Sequence, residues 1–570
     1  MSYLSRSISF LVLFGFSGAL WAAVPDAGGI LRDEQPVDPQ LRKLPGKQSP
    51  QAPATAGQAG VTIQVKQFEF KGYEGLISET ELQALVASSV GKPVGIAELQ
   101  ALVAEVTGLL KKKGYFLARA YLPRQDVSSG TIEIAILQAK VDGDVRVNAN
   151  SSRLSPTLVK NMTEGLVKPG QPLNEHDLER VLLLLNDLPG VAAKAVLEPG
   201  STPGTTRVAL NIEEGRLFSG SVWADNYGNR YTGSWRGNGL VSLNDPFGIG
   251  DQATVLVSGA EGLAQARVSY GMPFGSSGLR GNIAYTAMGY KLVGELKPLH
   301  AKGGAQTVAA WLSLPLIRSR SLNVGVTAGY DFKTLRDEIA DLTIRDKRIH
   351  SGNAGVNASW HDALLGGGYT SASAAATFGH VDLSGVKADE RADRVTARTA
   401  GGYSRYNLSA ARLQRVVGQL TAYAAYSGQF ASGNLDSSEK MSLGGPYGVR
   451  AYPVGEASGD EAHLFSVELR HDLPLDLKWG AVQLSAFFDT GQVTLNKTLW
   501  PYAVQTLKGK NEYWLSGAGV GISLSEADRY FLRLNYAHKI GGNDGRTLQG
   551  NDSDGRDDDG RFWLIGQISL

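Results

Sequence analysis

In YFLRLNYA (530–537), Tyr530, Leu532, Leu534 and Tyr536 alternate with Phe531, Arg533, Asn535 and Ala537. The same period of two runs through VQLSAFFD (482–489), where Val482, Leu484, Ala486 and Phe488 share one face and Gln483, Ser485, Phe487 and Asp489 the other. In FSVELR (465–470), Phe465, Val467 and Leu469 oppose Ser466, Glu468 and Arg470. Successive side chains of a strand point to opposite faces. One face is apolar here and the other carries charges, a pattern satisfied by lipid outside and water inside. A soluble sandwich or propeller also alternates, but Phe562, Leu564, Gly566, Ile568 and Leu570 make one regular face running to the last residue. A barrel that pairs its first and last strands needs such a segment, so the pattern predicts a membrane barrel.

Composition agrees. The chain has 570 residues and 70 glycines, against about 40 at the usual frequency of about 7%. Of 21 Tyr only Tyr3, Tyr73, Tyr115 and Tyr121 precede residue 216, and of nine Trp only Trp21. Aromatics so concentrated suit interfacial girdles. With Lys+Arg 56 against Asp+Glu 55 the formal charge is +1, so bulk electrostatics gives no reason to expect nucleic acid as a partner. Cysteine is absent, which removes disulfides, thiolate metal sites and cysteine nucleophiles, and suits an exported chain.

Residues 1–23 read as a secretory signal peptide, with Arg6, the apolar stretch Ile8–Leu20 and the small pair Ala22-Ala23. No later apolar run is long enough for a transmembrane helix. Residues 24–60 follow as a short helix around Ile30, Leu31 and Glu34, limited by Pro36 and Pro39, and a linker, GKQSPQAPATAGQAG (46–60). A tethered element of this kind can reach the inside of a barrel.

Residues 61–215 contain a repeat. Gly91-Lys92-Pro93 followed by Leu99, Leu102 and Val106 recurs as Gly170-Gln171-Pro172 followed by Leu178, Val181 and Leu185, at a constant offset. Each unit opens with a strand (Val65, Gln67 and Glu69 against Phe68 and Phe70; then Val145, Val147). Helices follow near 78–88 and 96–113 in the first unit, and near 155–165 and 174–187 in the second. The closing strands are 116–122 with 131–137, and 192–198 with 206–213. The order β-α-α-β-β, repeated in 61–140 and 141–215, predicts two small α+β domains with three-stranded sheets. Their exposed edges can accept an extended partner strand, unless the units are mere spacers. The barrel takes 216–570.

No enzyme is expected. The eight His include no His-x-x-x-His or His-Glu-x-x-His pair. No nucleophile elbow or phosphate-binding loop occurs, so no catalytic residue, metal or cofactor is expected. The acidic run NDSDGRDDDG (551–560) invites a calcium reading, but a solvated extracellular loop is preferred.

The order of parts resembles the outer-membrane transporters of two-partner secretion, the TpsB proteins of the haemolysin-activator type (ShlB/FhaC/HecB), over essentially the whole mature chain; the repeats look like POTRA domains. In LGGPYGVRAYPVGEASGDEAH (443–463), Gly448-Val449-Arg450-Ala451-Tyr452 is similar to the family's Val-Arg-Gly-Tyr loop tip, with Ala451 where the family usually has Gly. A methyl at that point requires a backbone without positive φ. Asn244-Asp245-Pro246-Phe247-Gly248-Ile249-Gly250-Asp251 is a second family-like signature.

The resemblance implies a 16-stranded barrel preceded by two periplasmic POTRA-like domains. It also implies a sixth extracellular loop folded into the lumen, whose arginine meets the acid of a Phe-x-Asp-x-Gly wall motif. That motif stands here as Phe487-Phe488-Asp489-Thr490-Gly491, and the alternation alone turns Asp489 inward. The anchor set is therefore Gly448, Val449, Arg450, Tyr452, Phe487, Asp489 and Gly491. Arg450 and Asp489 would form a bidentate pair, with Tyr452 and Phe487 stacked on the guanidinium. In a wet lumen such a pair is worth about 1–3 kcal/mol. The alternative is a solvated loop arginine beside one of many lumen acids.

The implied function is capture of an unfolded exoprotein by the POTRA-like sheet edges and its passage through the barrel without nucleotide hydrolysis. The implied partners are a large secreted exoprotein of TpsA type with an N-terminal secretion domain, outer-membrane lipid, and the barrel-assembly machinery that inserts the chain. The implied location is the outer membrane of a Gram-negative bacterium. The other reading is an assembly factor of the related insertase superfamily; two repeats and the helix-plus-linker favour the transporter.

Overall fold

The structure, a computed structural model, describes residues 24–34, 62–149, 153–475 and 477–570. The expected signal peptide and the 46–60 linker lie outside the described residues.

Sixteen strands close into an antiparallel barrel. They are β1 (Phe218–Asp225), β2 (Arg236–Asn244), β3 (Gln252–Ala260), β4 (Leu263–Phe274), β5 (Leu279–Lys291) and β6 (Ala301–Arg318). The wall continues through β7 (Leu322–Ile339), β8 (Leu342–Asp362), β9 (Gly368–Asp382), β10 (Gly401–Val417) and β11 (Leu420–Ala431). It finishes with β12 (Glu461–Asp472), β13 (Ala481–Thr494), β14 (Glu512–Glu526), β15 (Tyr530–Lys539) and β16 (Gly560–Ser569). β16 runs antiparallel to β1, with Ser569 opposite Ser221 and Ile565 opposite Asp225.

The alternation read in the sequence sets the faces. Leu532, Leu534 and Phe562 are exposed, whereas Asn535, Ala537 and Trp563 are buried. Strand length is uneven, from eight residues in β1 to 21 in β8. The β7–β8 link is the two-residue turn Ala340-Asp341, with φ of 47° and 62°, whose left-handed backbone matches the twist of a tight hairpin.

Residues 62–214 form two small α+β units below the barrel. In the first, strand Thr131–Leu137 is central, parallel to Gln67–Lys71 and antiparallel to Arg119–Tyr121. Helices α2 (Glu79–Val86) and α3 (Ile96–Lys112) bury Leu82, Val86, Leu99, Leu102 and Val106 against that sheet. Ser78 and Glu81 form a capping box that starts α2.

Two details differ from the sequence reading. Val65 does not share the exposed face of Gln67 and Glu69; it is fully buried with Phe68 and Phe70, because the strand begins only at Gln67 and Lys66 N and Gln67 N both donate to Gly130 O, which breaks the alternation. A further two-stranded pairing, Thr62–Gln64 with Pro93–Gly95, had no alternation long enough to announce it.

In the second unit Thr205–Glu214 is central, antiparallel to Val191–Pro199. Its other side is shared by Arg146–Ala149 and the two-residue piece Lys140–Val141, so Lys140 belongs to this sheet. Helices α4 (Pro156–Glu164) and α5 (Glu175–Asn186) cover it with Val159, Met162, Val181 and Leu185.

The parts are bonded end to end. Gly114, just past α3, accepts from Glu175 N at the start of α5 (2.7 Å). Asp187 beyond α5 takes Arg318 Nε and Nη2 of β6 at 2.8 and 2.6 Å. Gly248 in the Asn244–Asp251 signature accepts from Ser155 N at the start of α4 (2.8 Å). A Cβ at Gly248 would lie 2.1 Å from the Arg153 carbonyl oxygen, so only glycine fits this approach.

Candidate functional site: the loop locked inside the barrel

Loop L6, residues 432–460, joins β11 to β12 and folds inward. Its tip is a self-bonded turn: Val449 N donates to Leu443 O at 2.7 Å and Tyr452 N to Val449 O at 3.0 Å. A Cβ on Gly448 would meet the Leu443 carbonyl oxygen at 2.0 Å, so glycine is needed to close it. Val449, Ala451 and Tyr452 are fully buried, packed with Leu443, Phe487, Tyr513 and Leu515.

Arg450 is the polar centre of this plug. Its Nε and Nη2 donate to Asp489 Oδ2 and Oδ1 at 2.8 and 2.9 Å, a bidentate pair. Its backbone N also reaches Asp489 Oδ2 (3.2 Å), and Nη1 donates to Glu468 Oε2 (2.9 Å). Ser466 Oγ donates to Asp489 Oδ1 at 2.6 Å, fixing the carboxylate. The guanidinium lies 3.3 Å above the Phe487 ring, and Trp563 Nε1 donates to the Arg450 carbonyl (2.7 Å). A planar fork with five donors is the side chain that can serve such a cage.

The structure thus brings Gly448, Val449, Arg450, Phe487, Asp489 and Gly491 together; a Cβ at Gly491 would stand 2.9 Å from Leu443 Cδ2, so this position makes room for L6. Tyr452 is at the tip but does not stack on Arg450. Its ring faces Lys539 Nζ at 5.2 Å, because residues two apart in the turn point to different walls.

The expectation of a wet pair is also corrected. Arg450 is 8% exposed and Asp489 0%, since the apolar tip excludes solvent around them. Ala451 keeps a negative φ, and its methyl is accommodated by the wall: a Cβ on Gly517 would come within 2.5 Å of it.

Glu468, Ser466 and Trp563 were not assigned to the site from sequence. Their inward parity was legible in the alternation, but no local pattern reports which inward residues converge on one arginine.

The acidic run 551–560 is not a solvated loop throughout. Asp552 and Asp554 are buried, with Lys539 2.8 Å from Asp552 and Arg561 2.8 Å from Asp554. Asn543 Nδ2 and Ser553 N donate to Glu456 of L6 at 2.7 and 2.6 Å. Burial, and then the nearby Asp552, push the Glu456 carboxyl above its ordinary value. The run folds inward because L6 and the ends of β15 and β16 offer it partners.

The second lumen guest is helix α1 (Ala27–Asp33), started by Asp26, whose Oδ1 accepts from Gly29 N (2.8 Å). Ala27, Ile30 and Leu31 pack on Tyr290, Leu335 and Ile349 of the wall and Leu435 of L6. Ala27 N and Tyr290 OH both donate to Asp337 Oδ1, at 2.9 and 2.6 Å. Arg32 Nη1 donates to Ser458 Oγ of L6 (2.5 Å). Among the described residues no group of His, Cys, Asp and Glu has a metal-binding arrangement.

Fold and site define an outer-membrane β-barrel transporter with periplasmic POTRA domains and an inwardly locked sixth loop. The chain belongs to the haemolysin secretion/activation ShlB/FhaC/HecB family, whose model matches residues 204–524, while the ShlB-type POTRA model matches 63–139. It is 30% identical over 466 residues to the heme/hemopexin transporter protein HuxB of Haemophilus influenzae strain 86-028NP, covering 81% of each chain. It is 24% identical over 489 residues to the outer membrane transporter CdiB of Dickeya dadantii, covering 82% of this chain and 84% of that one. Among solved structures, CdiB from Escherichia coli superposes with a TM-score of 0.73 at 21% identity, covering 91% of this chain and 93% of that one. The protein is a two-partner secretion transporter of the outer membrane, and the assembly-factor reading is not favoured.

Proposed function

We propose that this chain exports one large secreted exoprotein, taken up by the edges of the two POTRA-like sheets and passed outward through the barrel. In the resting state L6 is anchored by the Arg450–Asp489 pair and α1 fills the lumen beside it. The observation that carries the reading is this double occupancy: a barrel built for free solute flow has no use for two bonded guests in its lumen. The strands Gln67–Lys71 and Val191–Pro199 are edges, and an unfolded chain offers backbone hydrogen bonds before it offers shape. HuxB is named a heme/hemopexin transporter, so an exoprotein engaged with heme or hemopexin is the first cargo to test. Deleting residues 62–138 or 140–214 should abolish export while the barrel still inserts, read by surface immunoblot and heat-modifiability. Export by a barrel lacking both units would overturn the reading.

A further inference from the structure

We infer that the inner wall is a cationic track whose resting counter-ions are the chain's own lumen guests, and that it fits acidic stretches of an extended polypeptide; this rests on the export reading above. Four carboxylates of the guests sit on wall cations. Glu34, at the end of α1, takes Arg236 at 2.7 Å. Asp26 lies 3.3 Å from Arg345 and 3.7 Å from Lys347. In L6, Asp436 takes Lys347 at 2.7 Å, and Glu439 takes Lys333 at 2.6 Å and Arg405 at 2.9 Å.

Further wall cations have no carboxylate at ion-pair distance. Arg267, Arg280 and Arg533 form no ion pair with any described residue. Arg267 lies 5.8 Å over Trp311 and Arg533 4.8 Å over Phe531, while Arg280 donates to the Gly250 carbonyl (3.3 Å). A guanidinium stacked on a ring leaves its edge of donors open to the lumen.

The wall's own acids balance these groups only in part: Asp331 acts on Arg267, Lys333 and Arg405 from beyond ion-pair distance. Asp225 is held by Arg236 and Asp489 by Arg450, Glu468 by Arg450 and Arg470, and Asp337 receives Ala27 N and Tyr290 OH with Arg345 at 4.0 Å. Asp331 and Asp472 have side-chain amide partners, Asn353 and Gln483. When α1 and the limb of L6 move aside, Arg236, Lys333, Lys347 and Arg405 lose carboxylates, and a charge in a narrow lumen must be paired or rehydrated. A translocating chain that presents Asp or Glu on one face of an extended segment replaces the guests group for group.

The test is ion selectivity in planar bilayers across a KCl gradient centred on about 0.1 M, where the screening length is about 10 Å. A variant lacking residues 24–58 should favour Cl⁻ over K⁺ by about 2-fold or more, as a lumen of one sign focuses counter-ions. An oligo-aspartate peptide should block its current at about 10-fold lower concentration than an oligo-lysine peptide of equal length. R267Q/R280Q/R533Q in the same background should move the reversal potential toward K⁺; should that variant fail to insert, the peptide comparison alone decides. K⁺ preference, no preference, or equal block by the two peptides overturns the inference while leaving the export reading intact. An inserted barrel that does not conduct after the deletion overturns the export pore and this inference together.

Discussion

The L6 tip and helix α1 are both guests in one lumen, held with opposite polarity. The tip brings a cation to wall carboxylates: Arg450 on Asp489 and Glu468. The helix brings carboxylates to wall cations: Asp26 near Arg345 and Lys347, and Glu34 on Arg236. The tip is also keyed sterically, with Ala451 against Gly517 and Leu443 against Gly491, and both its ends continue into barrel strands. The helix has seven residues and buries one apolar face. A helix that short has little stability of its own, so it holds its shape only while docked. The difference teaches that the loop continues the barrel wall, whereas the helix is a separately docked element.

The sharpest way to break this contrast is Arg450→Ala. It leaves Asp489 buried without its cation, while Glu468 keeps Arg470, a loss of about 3–5 kcal/mol, and export should fall by an order of magnitude or more with the protein still in the membrane. Arg450→Lys should rescue poorly, since a point charge cannot replace the fork. Combining Arg450→Ala with Asp489→Ala should be little worse than either alone; additive losses would show that the two act independently.

The steric key comes next. Gly517→Val places side-chain carbon where the Ala451 methyl stands, at a cost of about 1–3 kcal/mol, and export should fall several-fold. Gly517→Ala paired with Ala451→Gly should recover part of it, which a general defect in β14 would not allow.

Removing the helix should act on conductance rather than on folding. Deleting residues 24–58 should raise single-channel conductance in planar bilayers with heat-modifiability unchanged, and unchanged conductance would remove α1 from its plugging role.

The smallest effect is expected at Asp26. Burial alone would raise its carboxyl, but Lys347 and then Arg345 overcome that and hold it below the ordinary carboxylate value. A depressed value stabilises docking above the ordinary value of about 3.9 and is lost only as pH falls through the folded one. The Asp26 contribution to closure should therefore stay constant from about pH 8 to pH 5, and be lost only on acidification below about pH 4. Asp26→Asn should raise the open fraction modestly from about pH 8 to pH 5, with its difference from wild type vanishing below about pH 4; a difference that vanishes near neutrality would contradict the assignment.

The sequence by itself determined the parity of the barrel strands, though not of Val65 in the first small unit, the two β-α-α-β-β units with their helices within a residue or two, and the identity of Arg450 and Asp489 as partners. These are local properties: period two, period 3.6 and turn chemistry are written in neighbouring residues, and the motif resemblance supplied the one distant pairing. The tertiary structure alone decided that the pair is dry, that Glu468, Ser466 and Trp563 complete its cage, and that Tyr452 turns toward Lys539. It also decided that the acidic run at 551–560 folds onto Glu456, and that the wall cations take their counter-ions from α1 and L6. Each of these depends on which of sixteen inward faces meets which guest. Closure and register of the barrel set that meeting across hundreds of residues, and no short segment encodes it.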